Sequence, residues 1–291
     1  MGGVHSTHDR QHTTVTSAAN GRETIHLTKH HGLGNDFLVA LEPVRDLTSA
    51  DAKQWCDRRT GIGADGLIQA RRLAPDADGH WTMILWNADG SRAEISGNGI
   101  RCLGQAVGRL TSVDDESTIV VASDAGDRRL TLHPQPGDTW LVRAGMGAAT
   151  DGPRTSAAWT EAGVDVTAQQ GVDIGNPHLV AVVDEDAAFT GADMARIGPI
   201  IEAGYPGGIN VHLIRIVDPD RIDLKVWERG VGVTQACGSG ACAAAWAAHR
   251  MGLVSPEIIV TMPGGSATVE LTGSEVFLTG PATYIGSIVL G

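Results

Sequence analysis

The strongest constraint in this chain is that it contains itself twice. Shifting the sequence by 141 positions places Gly34-Asn35 on Gly175-Asn176, Trp86 on Trp227, Gly97 on Gly238, Gly99 on Gly240 and Ser96 on Cys237, without a gap. Apolar runs follow the same shift. "FLVAL" after Asn35 falls on "HLVAV" after Asn176, and "GIRCLGQAVGRL" falls on "GACAAAWAAHRM". A repeat of a few tens of residues would mean a solenoid, whereas one duplication near half the chain length means two similar domains. A pseudo-twofold arrangement follows, in which matched positions face each other across a cleft. Ser96 and Cys237 are then expected to oppose one another.

Segment patterning fixes the class as α+β. Short runs such as "TIHLTKHHG", "WTMILWNADGS", "STIVVASD", "INVHLIRIV", "EIIVTMPGG" and "SEVFLTG" are β-branched or aromatic and bounded by Gly, Pro, Asn or Asp, as strands are. "SADAKQWCDRRTG", "GIRCLGQAVGRL", "DMARIGPIIEAG" and "ACAAAWAAHRMG" carry the helical period. Many strands to few helices predicts that each half wraps a curved, mostly antiparallel sheet around one central helix. Expected boundaries are a disordered tail over 1–23, a first domain over 24–140 completed by about 283–291, and a second over 141–282.

The helix "ACAAAWAAH" is apolar all round, which marks a core element. Its start must open on something that satisfies the free N–H groups, a cap or a bound anion. The glycines of "SGNG" and "CGSG" clear side chains from those amides. Two such helix starts, facing each other, can grip one small carboxylate with Ser96 and Cys237 on its opposite sides. Groups on opposite faces of one carbon are what stereoinversion needs, one removing a proton and the other delivering one, with no cofactor demanded. The positive end of a helix also predicts a depressed pKa for Cys237. The competing reading makes Cys237 a small buried hydrophobe and the glycines packing devices.

Further polar groups sit amid apolar strands: Asn35, Asn87, Asn176, Asn210, Glu228 and Arg229 are able to bind amine and carboxylate. "GIGADG" at 61–66 fits G-x-G-x-x-G but follows a helix rather than a strand, so a dinucleotide site is rejected. Cys56, Cys102, Cys237 and Cys242 form no C-x-x-C pair or zinc-like grouping, so free thiols and no metal site are expected. His5, His8 and His12 read as part of a solvated tail. A net charge of -12 excludes nucleic acid as an expected partner. No apolar stretch approaches a membrane span and no secretory layout opens the chain, so the cytoplasm is the expected compartment.

In order along the chain, "HGLGNDF", "GIGADG", "NADGS", "SGNG", "GNPH", "ERGVGVTQACGSGACA" and "PGG" resemble the diaminopimelate epimerases, within the pyridoxal-phosphate-independent amino-acid racemases. The resemblance implies two similar domains closing over a small amino-acid substrate, a homodimer, no cofactor, and a two-base thiol mechanism converting LL-2,6-diaminopimelate to the meso form. It implies Cys237 as one of the two reacting thiols, with Glu228 and His178 close to the chemistry. Gly97, Asn98, Gly238 and Ser239, with Asn35, would hold the reacting carboxylate. Asn87, Asn176, Asn210, Glu228 and Arg229 would take the remaining amine and carboxylate groups.

The chain departs from that pattern where the family carries its other cysteine, since Ser96 stands there. Gly66 and Val233 also replace a glutamine and a glutamate seen in relatives. Cys102 lies about 9 Å further along the helix and belongs to the core rather than to the site. A serine hydroxyl can donate a proton to a carbanion but is rarely the alkoxide needed to remove one. Alternatives therefore include a racemase or one-base lyase acting on another amino acid, and an amino-acid-binding homologue without turnover.

Overall fold

The computed structural model describes residues 24–74, 79–156, 158–184 and 186–291. The expected tail over 1–23, with its three histidines, lies outside the described residues. The first half runs β1 (Ile25–Gly32), β2 (Asn35–Leu41), α1 (Ser49–Cys56), β3 (Gly66–Arg72), β4 (His80–Asn87), β5 (Arg92–Ala93), α2 (Gly97–Leu110), β6 (Ser117–Ser123), β7 (Gly126–His133) and β8 (Thr139–Gly147). The second runs β9 (Thr150–Asp151), α3 (Ala158–Glu161), β10 (Ala168–Asp173), β11 (Pro177–Val182), α4 (Asp186–Gly191), α5 (Met194–Glu202), β12 (Asn210–Asp218), β13 (Arg221–Glu228), β14 (Gly232–Val233), α6 (Gly238–Arg250), β15 (Glu257–Met262), β16 (Gly265–Thr272) and β17 (Glu275–Leu290).

The repeat is visible in the strand pairing. In the first half β2 pairs parallel to β3, β3 antiparallel to β4, and β4 parallel to β6. In the second, β11 pairs parallel to β12, β12 antiparallel to β13, and β13 parallel to β15. The remaining ladders, β6–β7–β8 and β15–β16–β17, are antiparallel, so the mostly antiparallel sheet expected in each half is found. Each sheet curls around one helix, α2 or α6. The run "FLVAL" is apolar throughout because both faces of β2 are covered. Phe37 and Val39 face the inner core with Ile100 of α2, while Leu38 and Ala40 pack outward on Trp55 of α1. β11 repeats this, Val180 and Val182 facing inward and Leu179 and Ala181 packing on Ile197 of α5.

A helix fits inside a curled sheet only if its side chains are small where it comes closest. In α2 a Cβ on Gly104 would lie 2.9 Å from Leu132 and one on Gly108 2.5 Å from Trp140. In α6 a run of alanines does the same work, with every alanine from 241 to 245 fully buried. Any larger side chain there would force neighbours out of their rotamers.

One strand belongs to both halves. β17 pairs with β16 over 275–279 and with β8 over 276–283, and then with β1 over 283–290, Ile25 lying opposite Leu290. The strand beginning "SEVFLTG" therefore runs on through Pro281, which the sequence reading did not extend. Proline normally ends a central strand because it cannot donate to a ladder. Pro281 falls between the end of the β16 ladder and the start of the β1 ladder, where on that side no partner needs an N–H. β3, at "GLIQARR", was also unread as a strand, since charged Arg71 and Arg72 end it and the glycine-rich stretch before it masks its start.

The two central helices meet end to end. A Cβ built on Gly97 would lie 2.9 Å from the Cα of Gly238, and one on Gly238 would lie 2.7 Å from the Cα of Gly97. Gly238→Ala is expected to cost about 1–3 kcal/mol of stability through this backbone clash. Gly286→Ala, which meets nothing within 4 Å, should shift the urea midpoint by little, and equal midpoints for the two variants would refute the contact.

Candidate active site

Ser96 and Cys237 cap the two helices in the same way. Both have extended backbones, with φ -131° and -126°. The Gly99 N–H donates to Ser96 Oγ at 3.1 Å, and the Gly240 N–H donates to Cys237 Sγ at 3.3 Å. With Gly97 against Gly238, the first-turn amides of both helices open on one cleft of roughly 770 Å³. Ser96, Gly97, Asn98, Cys237, Gly238 and Ser239 line it, together with Asn35, Asn87, Asn176, Glu228 and Arg229.

Not every expected site residue reaches that cleft. His178 is fully buried behind Asn176, and Asn210 is 5% exposed beneath Arg229. Asn210 donates to the Pro177 carbonyl at 2.9 Å and accepts the Arg229 N–H at 3.0 Å, which fixes the turn after β13. His178 Nε2 lies 2.8 Å from Asn176 Oδ1, and its Nδ1 lies 2.7 Å from Nε2 of His212. Burial holds both imidazoles neutral, with His212 lowered to about 3 and His178 well below its ordinary value. A carbonyl oxygen can only accept, so His178 carries its proton on Nε2 and accepts from His212. This leaves the Nδ1 lone pair of His212 as the unpartnered end of the chain. Asn176 is thereby turned with its amide donors toward the cleft.

The Asn98 side chain is also committed. Its Nδ2 donates to Asn35 Oδ1 at 3.2 Å and to the Ala236 carbonyl at 3.1 Å, tying the start of α2 to the segment that leads into α6. Only its backbone N–H remains for a ligand. Asn35 in turn donates to Asp65 Oδ2 at 2.7 Å, and Arg58 bridges Asp65 and Asp36 at 2.7 and 2.6 Å. Asp65 comes from "GIGADG", so the stretch rejected as a nucleotide motif supplies a wall of the cleft. Asp65, Arg58 and Thr234 were not singled out from sequence, because each becomes informative only once its partner across the cleft is known.

The two caps differ in their surroundings. The Glu228 carboxyl lies close enough to the Cys237 thiol to act on its charge, and it accepts from the Thr234 hydroxyl, while the Cys237 Sγ lies 3.6 Å from Ser239 Oγ. The matched position in the first half is Asn87, whose Nδ2 donates to Ser91 Oγ at 2.9 Å. Burial, and then the Glu228 carboxylate, push the Cys237 thiol well above its ordinary value, and burial raises Glu228 too. The thiol is thus raised where the helix start alone predicts a depressed value. Desolvation and the Glu228 charge outweigh the helix end, whose field falls off within a turn. Cys102 and Cys242, both fully buried, are pushed up to about 12 and stay inert. Among the described residues no three His, Cys, Asp or Glu side chains converge as metal ligands would, and no helix is long and apolar enough to cross a membrane.

The chain also resembles known proteins. The family described as diaminopimelate epimerase matches residues 27–151 and 171–285. A diaminopimelate epimerase of Rhodococcus opacus is 38% identical over 281 residues, 89% of this chain and 95% of that one. Another, from Rhizorhabdus wittichii, is 37% identical over 268 residues, 90% of this chain and 93% of that one. Among solved structures, a phenazine biosynthesis protein of Bacillus anthracis superposes with a TM-score of 0.71 at 14% identity, over 93% of this chain and all of that one. A hydroxyproline epimerase of Agrobacterium vitis gives 0.65 at 17%, over 92% of this chain and 93% of that one. At such identities the structures show the shared fold alone. The sequence relatives, with the family match over both halves, settle the matter: the chain belongs to the diaminopimelate epimerase family.

Proposed function

We infer that this chain is an isomerase that interconverts LL- and meso-2,6-diaminopimelate by moving a proton at one α-carbon, a step on the route to lysine and peptidoglycan. The observation that carries this reading is the pair of abutting helix starts with Ser96 and Cys237 as matched caps on one cleft. Amides of Gly97, Asn98, Gly238 and Ser239 receive the reacting carboxylate. The α-ammonium lies beside Glu228, and Asn87, Asn176 and Arg229 meet the distal end, with His178 and Asn210 acting from beneath as positioning residues.

In the forward step Cys237, as thiolate, takes the α-proton, and the Ser96 hydroxyl returns one to the opposite face. The thiol is protonated in the empty cleft. Arrival of an ammonium beside Glu228 offsets the negative charge that holds the thiol's pKa up, while Glu228 is placed to draw the thiol's proton. Ser96 is left as an oxyanion facing the Gly99 N–H, and the pair resets when solvent returns a proton to oxygen and removes one from sulfur. This asymmetry makes the Ser96 side the slow one. The enzyme is further proposed to be cytoplasmic and to act as a homodimer, with Ile285 and Val289, 53% and 62% exposed on one face of β17, supplying apolar surface for a second copy.

Cys237→Ala is expected to lower turnover by about 10²- to 10⁴-fold, and Ser96→Cys to raise it about tenfold or more. Proton NMR in deuterated water follows the reaction, since inversion installs deuterium at the α-carbon while elimination yields a keto product. Binding of diaminopimelate without any exchange would instead assign a binding protein. The pH profile gives a separate test. A base whose pKa is raised is increasingly ionised as pH climbs, so kcat/KM should rise from pH 6 to pH 9. Glu228→Gln removes the neighbouring charge that raises the thiol, so that rising limb should move to lower pH even as kcat falls. A limb that stays in place would separate it from Cys237.

A further inference from the structure

Among the described residues Arg101 is a cation wholly removed from water. It is fully buried in the first turns of α2, between Gly32 and Gly280. A Cβ on Gly280 would lie 3.1 Å from its guanidinium carbon. Its Nη1 donates to the Gly97 carbonyl at 3.0 Å and its Nη2 to Asn98 Oδ1 at 2.7 Å, while Nε has no partner. Among the described residues its charged neighbours include no carboxylate in ion-pair contact, and the titratable groups nearest it are the thiols of Cys102 and Cys242. Burial lowers its pKa to about 10, so it remains a cation at neutral pH.

Three features each oppose this placement: removal from water, lack of an opposite charge, and position at the positive end of a helix. An anion at the helix start would supply the missing opposite charge and offset the helix end, compensating part of the cost of burial. The hydrogen bonds from Arg101 also run one way. Arg101 can only donate, so Asn98 turns its carbonyl inward and its Nδ2 outward to Asn35, whose own Nδ2 goes to the Asp65 carboxylate, which can only accept. A donor at one end and an acceptor at the other fix both amides without ambiguity. In the matched position of the second half stands Cys242, so α6 has no such cation.

We propose that Arg101 is the positioning residue for substrate carboxylate, its charge awaiting that carboxylate as counter-ion and its donors setting the orientation of Asn98 and Asn35. The proposal rests on the reading that the carboxylate sits at the paired helix starts. It assigns α2, rather than α6, as the stronger of the two anion-holding ends. It also requires a trade: the residue that strengthens binding strains the empty protein.

The test compares Arg101→Lys, Arg101→Gln and Arg101→Met with the unaltered chain, using calorimetric titration with meso-diaminopimelate and urea unfolding without ligand. Arg101→Gln and Arg101→Met should bind about ten- to a hundredfold more weakly, with KM raised more than kcat is lowered. Arg101→Lys should recover most of the affinity by restoring the charge. In the empty state the Met variant should be at least as stable as the parent. A role in packing alone would give the reverse, a destabilised Met variant with unchanged affinity among variants that fold. If the unaltered chain binds diaminopimelate and Arg101→Gln binds it equally well, the proposal falls while the reading of the site stands. Failure of the unaltered chain to bind would overturn the underlying reading as well.

Discussion

Everything in this fold serves one contact, the backbone of Gly97 against that of Gly238. Two helix ends of like polarity cannot be brought together in water without a reason, because each carries unpaired N–H groups and partial positive charge. They are forced together here by enclosure. Each helix is sheathed by its own curled half of one continuous sheet, and β17 joins the two halves. Glycines in α2 and alanines in α6 allow the sheath to close, and the caps at Ser96 and Cys237 satisfy one amide in each first turn. The remaining first-turn amides open on the cleft, where the proposed carboxylate would meet them.

How much of this is legible in the sequence depends on whether a residue's meaning is local. The repeat is legible because the constraints on Gly97, Gly99, Gly238 and Gly240 are steric and recur at one spacing. The central helix α6 is legible because a helix apolar on all faces has nowhere to go but inside, and α2 is legible by its match to α6 at the same offset. The burial of His178 and Asn210 is not, since it depends on Asn176 and Arg229 standing in front of them. That the Asn98 side chain is a tie, leaving only its backbone N–H on the cleft, is also hidden, because its partners Asn35, Arg101 and Ala236 come from three separate parts of the fold. The thiol misleads for a related reason: a helix start is visible from sequence, whereas a carboxylate brought beside it from the end of β13 is not.

Symmetry in the backbone is paired with asymmetry in chemistry. Cys237 faces Glu228, while Ser96 has Asn87 in the matched place. Arg101 is matched by Cys242 and Phe37 by His178. One half therefore contributes a titrating sulfur, a carboxylate and a neutral imidazole pair, and the other contributes a hydroxyl, amides and a buried cation. In the proposed reaction, a substrate with one α-carbon between them would meet two similar frames presenting unlike groups. Such a site distinguishes the two faces of that carbon even though the scaffold does not.

The sharing of β17 has a consequence for how the molecule comes into being. Ile25, in the first strand, has Leu290 as its partner, and until that partner exists β1 and β8 both present an open edge. The first half cannot be sealed when its own residues leave the ribosome. Its sheet closes only through a strand that lies at the far end of the second half, so the contacts that complete it are among the longest-range in the chain. Duplication at the level of sequence has thus produced a unit that can no longer be divided.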